Sequence, residues 1–347
     1  MHDLEERANG ETAFATRGEP AWHGLGTVFD KDADISTAKM LEMAHLNNWD
    51  VRLEDAIFPQ DYNVNGDFFY VVRNNPDGNG NDVLAIVGER YRVYQNEQLF
   101  EFGDSILDGG AKWETAGSIK QGRQVFGSLS VPKEFILDPK GANDKTVTYL
   151  LVHSSHDGSA AVQAMVTPVR VVCQNTLNMA LNAEAKNKKN GLKQSFKFRH
   201  TETLSQNAAQ AREALRLTYT YMDKFEEQAR ELFQRKVNDK QWNDIITTLY
   251  PRPETEPNKK SGALTLWENK IDLLNDLYFK SPTNTTIKGT GWGALNALTE
   301  RVDYFRASRG NDGSISEANI AAASGFDSQV NAEKNRIFAA VKELTSK

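Results

Sequence analysis

The sequence predicts an α+β fold, with a β-rich N-terminal and middle part containing a few helices, followed by a mainly α-helical C-terminal part. Three observations predict it. Apolar residues alternate with a period of two in several runs between residues 49 and 172, as half-buried strands require. From residue 201 the spacing changes to threes and fours, the period of a helix. The chain has 347 residues, 39% hydrophobic and 25% charged, which suits two modest globular domains and excludes collagen-like or wholly disordered classes.

Taken in order, residues 18–29 hold Pro20 and three glycines around Trp22 and His23 and read as irregular. A short helix is expected over 36–48, with Ser36 as its N-cap. FFYVVR at 68–73 and VLAIVGERYRVY at 83–94 form a hairpin with a long turn. Residues 95–107 return to helix, with Leu99, Phe102 and Ile106 at helical spacing. Strands follow at 113–120, 122–131, 146–154 and 160–172. In the second of these Val125, Leu129 and Val131 share one face, leaving Phe126 as an aromatic on an otherwise polar face. Pro168 places the fourth strand at an edge or bends it. A short helix is expected from Cys173 through Leu177 and Leu181, and then a basic loop over 186–200.

Beyond 201, Thr203 and Gln206 make a capping box. Leu204, Ala208, Ala211, Leu215, Met222, Phe225, Ala229 and Leu232 then follow heptad spacing. The segment 251–262 has three prolines and reads as a linker, and further helices are expected near 263–279, 291–307 and 314–344. The domain reading is therefore a 1–200 core with a basic middle segment at 116–200, a helical segment at 201–250, the linker, and a helical unit at 263–347.

The net charge is −6, which alone argues against nucleic acid. Charge is unevenly spread, however. Residues 1–115 carry 22 acidic and 9 basic side chains, residues 116–200 carry 5 and 12, and the remainder carries 20 of each. A basic middle beside an acidic first third points to an anionic partner for the middle, or to packing between the two segments.

Little chemistry is legible. No P-loop, HExxH, GxSxG or kinase-like set is present. Gly289, Gly291 and Gly293 precede a helix without the strand and Lys of a phosphate cradle. His153 and His156 read as surface histidines. The single cysteine, Cys173, excludes an internal disulfide and a multi-cysteine zinc site, and its helical phase makes it a small core residue. No catalytic residue, metal or cofactor is expected. No apolar run approaches the roughly 18 residues of a spanning helix, and the acidic N-terminus is unlike a signal peptide, so a cytoplasmic protein is expected. The surviving constellation is cationic and aromatic, suited to single-stranded nucleic acid, whose phosphates take the charge and whose bases stack. Its candidate residues are Lys120, Arg123, Phe126, Arg170, Lys186, Lys188, Lys189, Lys193, Lys197 and Arg199. Phe196 and Phe198 fit the inner face of a strand better than a stacking platform.

AWHGLG at 21–26, YRVYQNEQLFEFGDSIL at 91–107, TPVRVVCQNTLNMAL at 167–181, FRHT at 198–201 and GTGWGALNALTERVDYFRAS at 289–308 together resemble the phage and plasmid-like protein family carrying domain of unknown function 932. The resemblance implies origin in a phage or mobile element and no settled activity. Tyr304 follows Asp303 where such proteins often have His. Element order is also similar to the core of phage single-strand annealing proteins, which implies rings or filaments holding single-stranded DNA. The expectation is a non-enzymatic, homo-oligomeric phage protein of the host cytoplasm that binds single-stranded DNA in strand annealing, recombination or replication. The alternative is an interaction protein that binds a host protein through its acidic surface or heptad helix.

Overall fold

Alternation in the first half of the chain becomes two sheets, and the later heptads become helices packed on the larger one. The structure is a computed structural model, which describes residues 4–18, 25–59, 66–78, 80–107, 110–170, 175–176, 195–197, 204–254, 262–305 and 328–346. The smaller sheet is an antiparallel meander of β3 (Arg52–Asp55), β4 (Phe68–Asn74) and β5 (Asn81–Gly88). The larger runs β10-β9-β8-β7-β6-β1-β2, with β11 also beside β9. Its long members are β6 (Lys112–Ile119), β7 (Gln124–Leu137), β8 (Asp144–Ser155) and β9 (Gln163–Arg170), all antiparallel as tight turns between successive strands dictate.

The region expected to be irregular, 18–29, contributes β2 (Thr27–Phe29), which pairs in parallel with β1 (Phe14–Arg17), a strand just before it that the sequence pattern left unassigned. Strands of four and three residues carry too little alternation to be read locally; β1 is held by its pairing with β6. β10 (Asn175–Thr176) pairs with β9, so these two residues are strand where a helix from Cys173 was expected. Cys173 lies outside the described residues. β11 (Ser195–Lys197) likewise replaces part of the expected basic loop and pairs Phe196 with Ala164. β9 is consequently paired on both sides at its two ends, where an edge or a bent strand was expected, and keeps an open outer side only between them. Pro168, which has no N–H to donate, falls between the stretches that pair with β10 and β11.

Helices cover one face of this sheet. Ser36 caps α1 (Thr37–Met43) by accepting from the Lys39 backbone N–H, and α2 (Asn96–Leu107) buries Leu99, Phe102 and Ile106. Gly103 lets α2 approach the sheet, since a Cβ there would run into the Trp113 indole. α3 (Leu204–Gln234) carries the heptads. Tyr221, Met222, Phe225, Ala229 and Leu232 on it are buried. Phe225 meets Phe135 of β7 at 5.9 Å and Trp292 at 6.1 Å. Burying one such ring contributes about 1.5–3 kcal/mol. The heptad positions from Met222 to Leu232 therefore mark the seam between sheet and helices, not a free surface. α4 (Asp239–Leu249), α5 (Gly262–Phe279), α6 (Gly291–Tyr304) and α7 (Ser328–Leu344) complete the helical part. α6 is buried from Gly291 to Asp303, and its Trp292 indole donates to buried Asp144 on β8 at 2.7 Å. One continuous apolar core joins sheet and helices.

Candidate functional site

Of the residues expected to line one basic groove, the described ones do not all come together. Lys120 and Arg123 are exposed on the turn between β6 and β7, where Lys120, Gln121 and Gly122 all have positive φ (54°, 55° and 83°). Register across the sheet aligns Phe126 with His153, His153 with Gln163, and Gln163 with Lys197. Lys197 therefore sits on the row next to that turn. Arg170 pairs instead with Thr146, seven residues back along β8 from His153. At about 3.4 Å per residue, that places it about 24 Å away at the other end of the sheet. Phe126 is not exposed. With 6% of its surface accessible, it packs with Leu4, Phe14, Ile119 and Leu151, because the N-terminal segment crosses the face that the strand pattern left open. Lys186, Lys188, Lys189, Lys193 and Arg199 lie outside the described residues.

The turn also adjoins an acidic cleft of about 430 Å3, lined by Glu5, Glu6, Asp77 and Asp82 together with Arg73 and Arg123. Buried Arg73 lies over the Trp49 ring at 4.1 Å. It pairs with both carboxylate oxygens of Glu5 and with Asp82 at 3.0 Å, while Ser118 donates to Glu5 at 2.7 Å. Gly122 is required here because a Cβ would strike the Arg73 guanidinium. His156 shares an Nε2···Oδ1 hydrogen bond of 2.9 Å with Asn96, and its ring is 5.7 Å from Trp49. Both histidines expected at the surface are buried. Burial first, then the charge of Lys120 for His153 and of Arg73 for His156, lowers each ring to about 4. They are neutral components of the core.

A different arrangement occurs where α4, α5, α6 and α7 meet. The Asn238 capping box starts α4, whose last turn buries Leu249 and delivers Tyr250 as its C-cap. Trp242 of α4 stacks on Tyr278 of α5 at 4.1 Å with 10° between planes, fixing the two helices together. Trp267 of α5 donates its indole N–H to the Tyr250 carbonyl at 2.8 Å. The Tyr250 hydroxyl donates to Glu333 Oε1 of α7 at 2.9 Å, and Arg301 of α6 donates to the same oxygen at 2.9 Å.

Around the Tyr250 ring stand Lys270 at 5.0 Å, Arg301 at 5.5 Å and Arg336 at 5.9 Å, all within cation–π range. Arg252 lies 5.9 Å over the Trp267 ring. Trp267 and Lys270 are three apart on α5, and Glu333 and Arg336 three apart on α7, so each pair shares a helix face. The groove between them has a volume of about 840 Å3, within the ~300–1,000 Å3 of ligand sites. Lys270 and Arg336 form no ion pair with any described carboxylate. Burial, then the neighbouring Arg301, lowers Lys270, while burial and Glu333 push the Tyr250 phenol up. The arrangement offers positive charge beside an apolar wall, the chemistry that suits an anion with a flat apolar part. None of its residues was a sequence candidate. The two i, i+3 pairs were the available local signal, but nothing local brings positions 250, 270, 301 and 336 together.

By architecture this is an α+β protein whose large, mostly antiparallel sheet is backed by helices, with its cation-rich site in the helical half. Residues 83–324 match the family model described as Domain of unknown function (DUF932), and the chain belongs to that family. The matched range includes Tyr250, Trp267, Lys270 and Arg301 and ends before Glu333 and Arg336. No curated protein and no solved structure matches the chain. No helix among the described residues is long and apolar enough to cross a membrane.

Proposed function

We propose that this chain is a non-enzymatic protein that binds single-stranded nucleic acid, and that it does so in the helical groove around Tyr250 instead of on the sheet. The supporting observation is the convergence of Lys270, Arg301 and Arg336 on one ring with Glu333 as the carboxylate paired there. Beside them, half-buried Trp267 and 65%-exposed Leu266 offer apolar surface to a base, where stacking contributes about 1–3 kcal/mol per base. With the family resemblance, this reading places the protein in phage recombination or replication, acting as a homo-oligomer in the host cytoplasm.

The test is fluorescence anisotropy of a labelled single-stranded oligonucleotide at low salt. Binding at micromolar protein is expected, falling steeply as salt rises. Lys270→Ala and Arg336→Ala should each weaken it about tenfold, the scale of one lost charge-assisted contact, while Arg123→Ala should leave it unchanged. Absence of binding by the unaltered protein would overturn the nucleic-acid reading. Normal binding by the Lys270→Ala, Arg336→Ala double variant would remove the groove from it. Host-protein capture, the alternative, retains the acidic cleft as a surface but loses the apolar side of α3 from Met222 to Leu232, which is internal.

A further inference from the structure

Resting on that reading, we propose that the groove recognises a phosphomonoester, the terminal phosphate of a nucleic-acid strand or of a nucleotide, in preference to the phosphodiesters within a chain. The first support is geometric. A surface that tracks a backbone presents cations in succession, one per diester, each diester carrying a single charge. Here the charged ends of Lys270, Arg301 and Arg336 lie between 5.0 and 5.9 Å from one ring centroid. They cluster about one ring and line one groove instead of following a line.

The second support is the charge count in that groove. Glu333 is engaged by Arg301 at 2.9 Å, leaving Lys270 and Arg336 with no described carboxylate in ion-pair range. A monoester carries about −1.5 to −2 at pH 7, which matches two free cations. A diester, with one charge, leaves one cation uncompensated. Lys270 is partly buried and its ammonium is disfavoured by that burial and by Arg301, so a dianion there stabilises the charged form more than a monoanion does.

The third support is what borders the cations. Trp267, with Arg252 over its ring at 5.9 Å, and Leu266, Pro251 and Pro253 line the same groove. A terminal phosphate on the cations thus leaves the attached sugar and base on an apolar wall. Glu333 Oε1 already occupies an acceptor position between Tyr250 and Arg301, so it acts as a specificity element that repels a second anion from that spot and directs it towards Lys270 and Arg336.

The experiment compares oligothymidylate strands, identical except for a 5′-phosphate, a 3′-phosphate or hydroxyl ends, by anisotropy with an internal label, and adds thymidine monophosphate against thymidine as competitors. At least one phosphorylated end should bind roughly tenfold tighter than the hydroxyl strand. Lys270→Ala and Arg336→Ala should abolish that discrimination without changing Tm, Arg336 being exposed. Glu333→Gln, which retains an acceptor for Tyr250, should tighten phosphate binding. Equal binding of all three strands overturns the phosphomonoester inference and leaves the strand reading standing. A rise in Tm of the unlabelled protein with thymidine monophosphate but not with thymidine, and no strand binding, supports the monoester site and overturns the strand reading. No binding of either overturns both.

Discussion

Arg73 on the sheet side and the cations about Tyr250 on the helical side both lie over an aromatic ring, and the two regions differ in how many carboxylates accompany them. In the sheet half, one guanidinium, Arg73, lies 4.1 Å over Trp49 and pairs with two carboxylates, Glu5 and Asp82. In the helical half, three cations surround Tyr250 and share Glu333. The first arrangement is electrically closed and 3% exposed at its centre, so it can only hold the N-terminal segment and the small sheet together. The second carries excess charge at an open groove. What separates a structural cation–π contact from a candidate binding site is thus the local ratio of cations to carboxylates.

The largest effect that tests this difference is on stability. Arg73→Ala leaves Glu5 and Asp82 facing each other without their cation, and removing one partner of such a buried pair costs about 3–5 kcal/mol. Arg336→Ala removes an exposed side chain with no described ion pair, so its cost should stay within about 0.5 kcal/mol. Urea denaturation of the two variants measures both. Equal costs would break the comparison, since Arg336 would then be structural too.

Acidification comes next. His153 and His156, on the sheet side, have ring pKa values lowered from 6.5 to about 4 in the folded protein. Above pH 6.5 both states are neutral there and stability is at its full value. Between 6.5 and 4 the unfolded chain takes up protons that the folded one refuses, so stability falls as pH falls and levels off below 4. The loss amounts to about 3 kcal/mol for each ring. His156→Gln should flatten part of this slope in denaturation profiles measured from pH 7 to pH 4. An unchanged slope would mean that His156 does not carry the charge-intolerant interior assigned to it.

This comparison also explains what could be read from the sequence. The α+β order, the hairpin of β4 and β5, α2 and the heptads of α3 were legible because each repeats a period within a dozen or so residues, although β5 ends at Gly88 and not at residue 94 as expected. β1, β2, β10 and β11 were not, since strands of two to four residues exist by pairing and leave little pattern. Phe126 was misread for a related reason: its face looked polar along β7, while the residues that cover it, Leu4 and Phe14, come from the far end of the chain. Dividing the charge by segment favoured residues 116–200, but folding separates Arg170 from Arg123 and sets the latter beside carboxylates. The segment with 20 charges of each sign assembled the groove instead, because Arg252, Lys270, Arg301 and Arg336 come from three helices and the stretch after α4. Net charge along a sequence averages over positions that tertiary structure sorts into separate surfaces.

The smallest effect bears on what Tyr250 contributes. Its hydroxyl donates to Glu333, while its ring is what the cations face. Tyr250→Phe removes one hydrogen bond and keeps the ring, so the expected cost is about 1 kcal/mol of stability. Glu333 remains held by Arg301 at 2.9 Å, and the cations keep their places, so oligonucleotide affinity should change by no more than about twofold, a few tenths of a kcal/mol. Tyr250→Leu, by contrast, deletes the π face and should loosen all three cations, lowering affinity by about tenfold if the ring contributes the 0.5–2 kcal/mol of a partly desolvated cation–π cluster. Anisotropy titrations of the two variants separate these contributions. A large loss with Tyr250→Phe would make the hydroxyl a ligand to the bound anion and Glu333 its resting partner, whereas no loss with either would place the anion on Arg252 and Trp267, further along the groove.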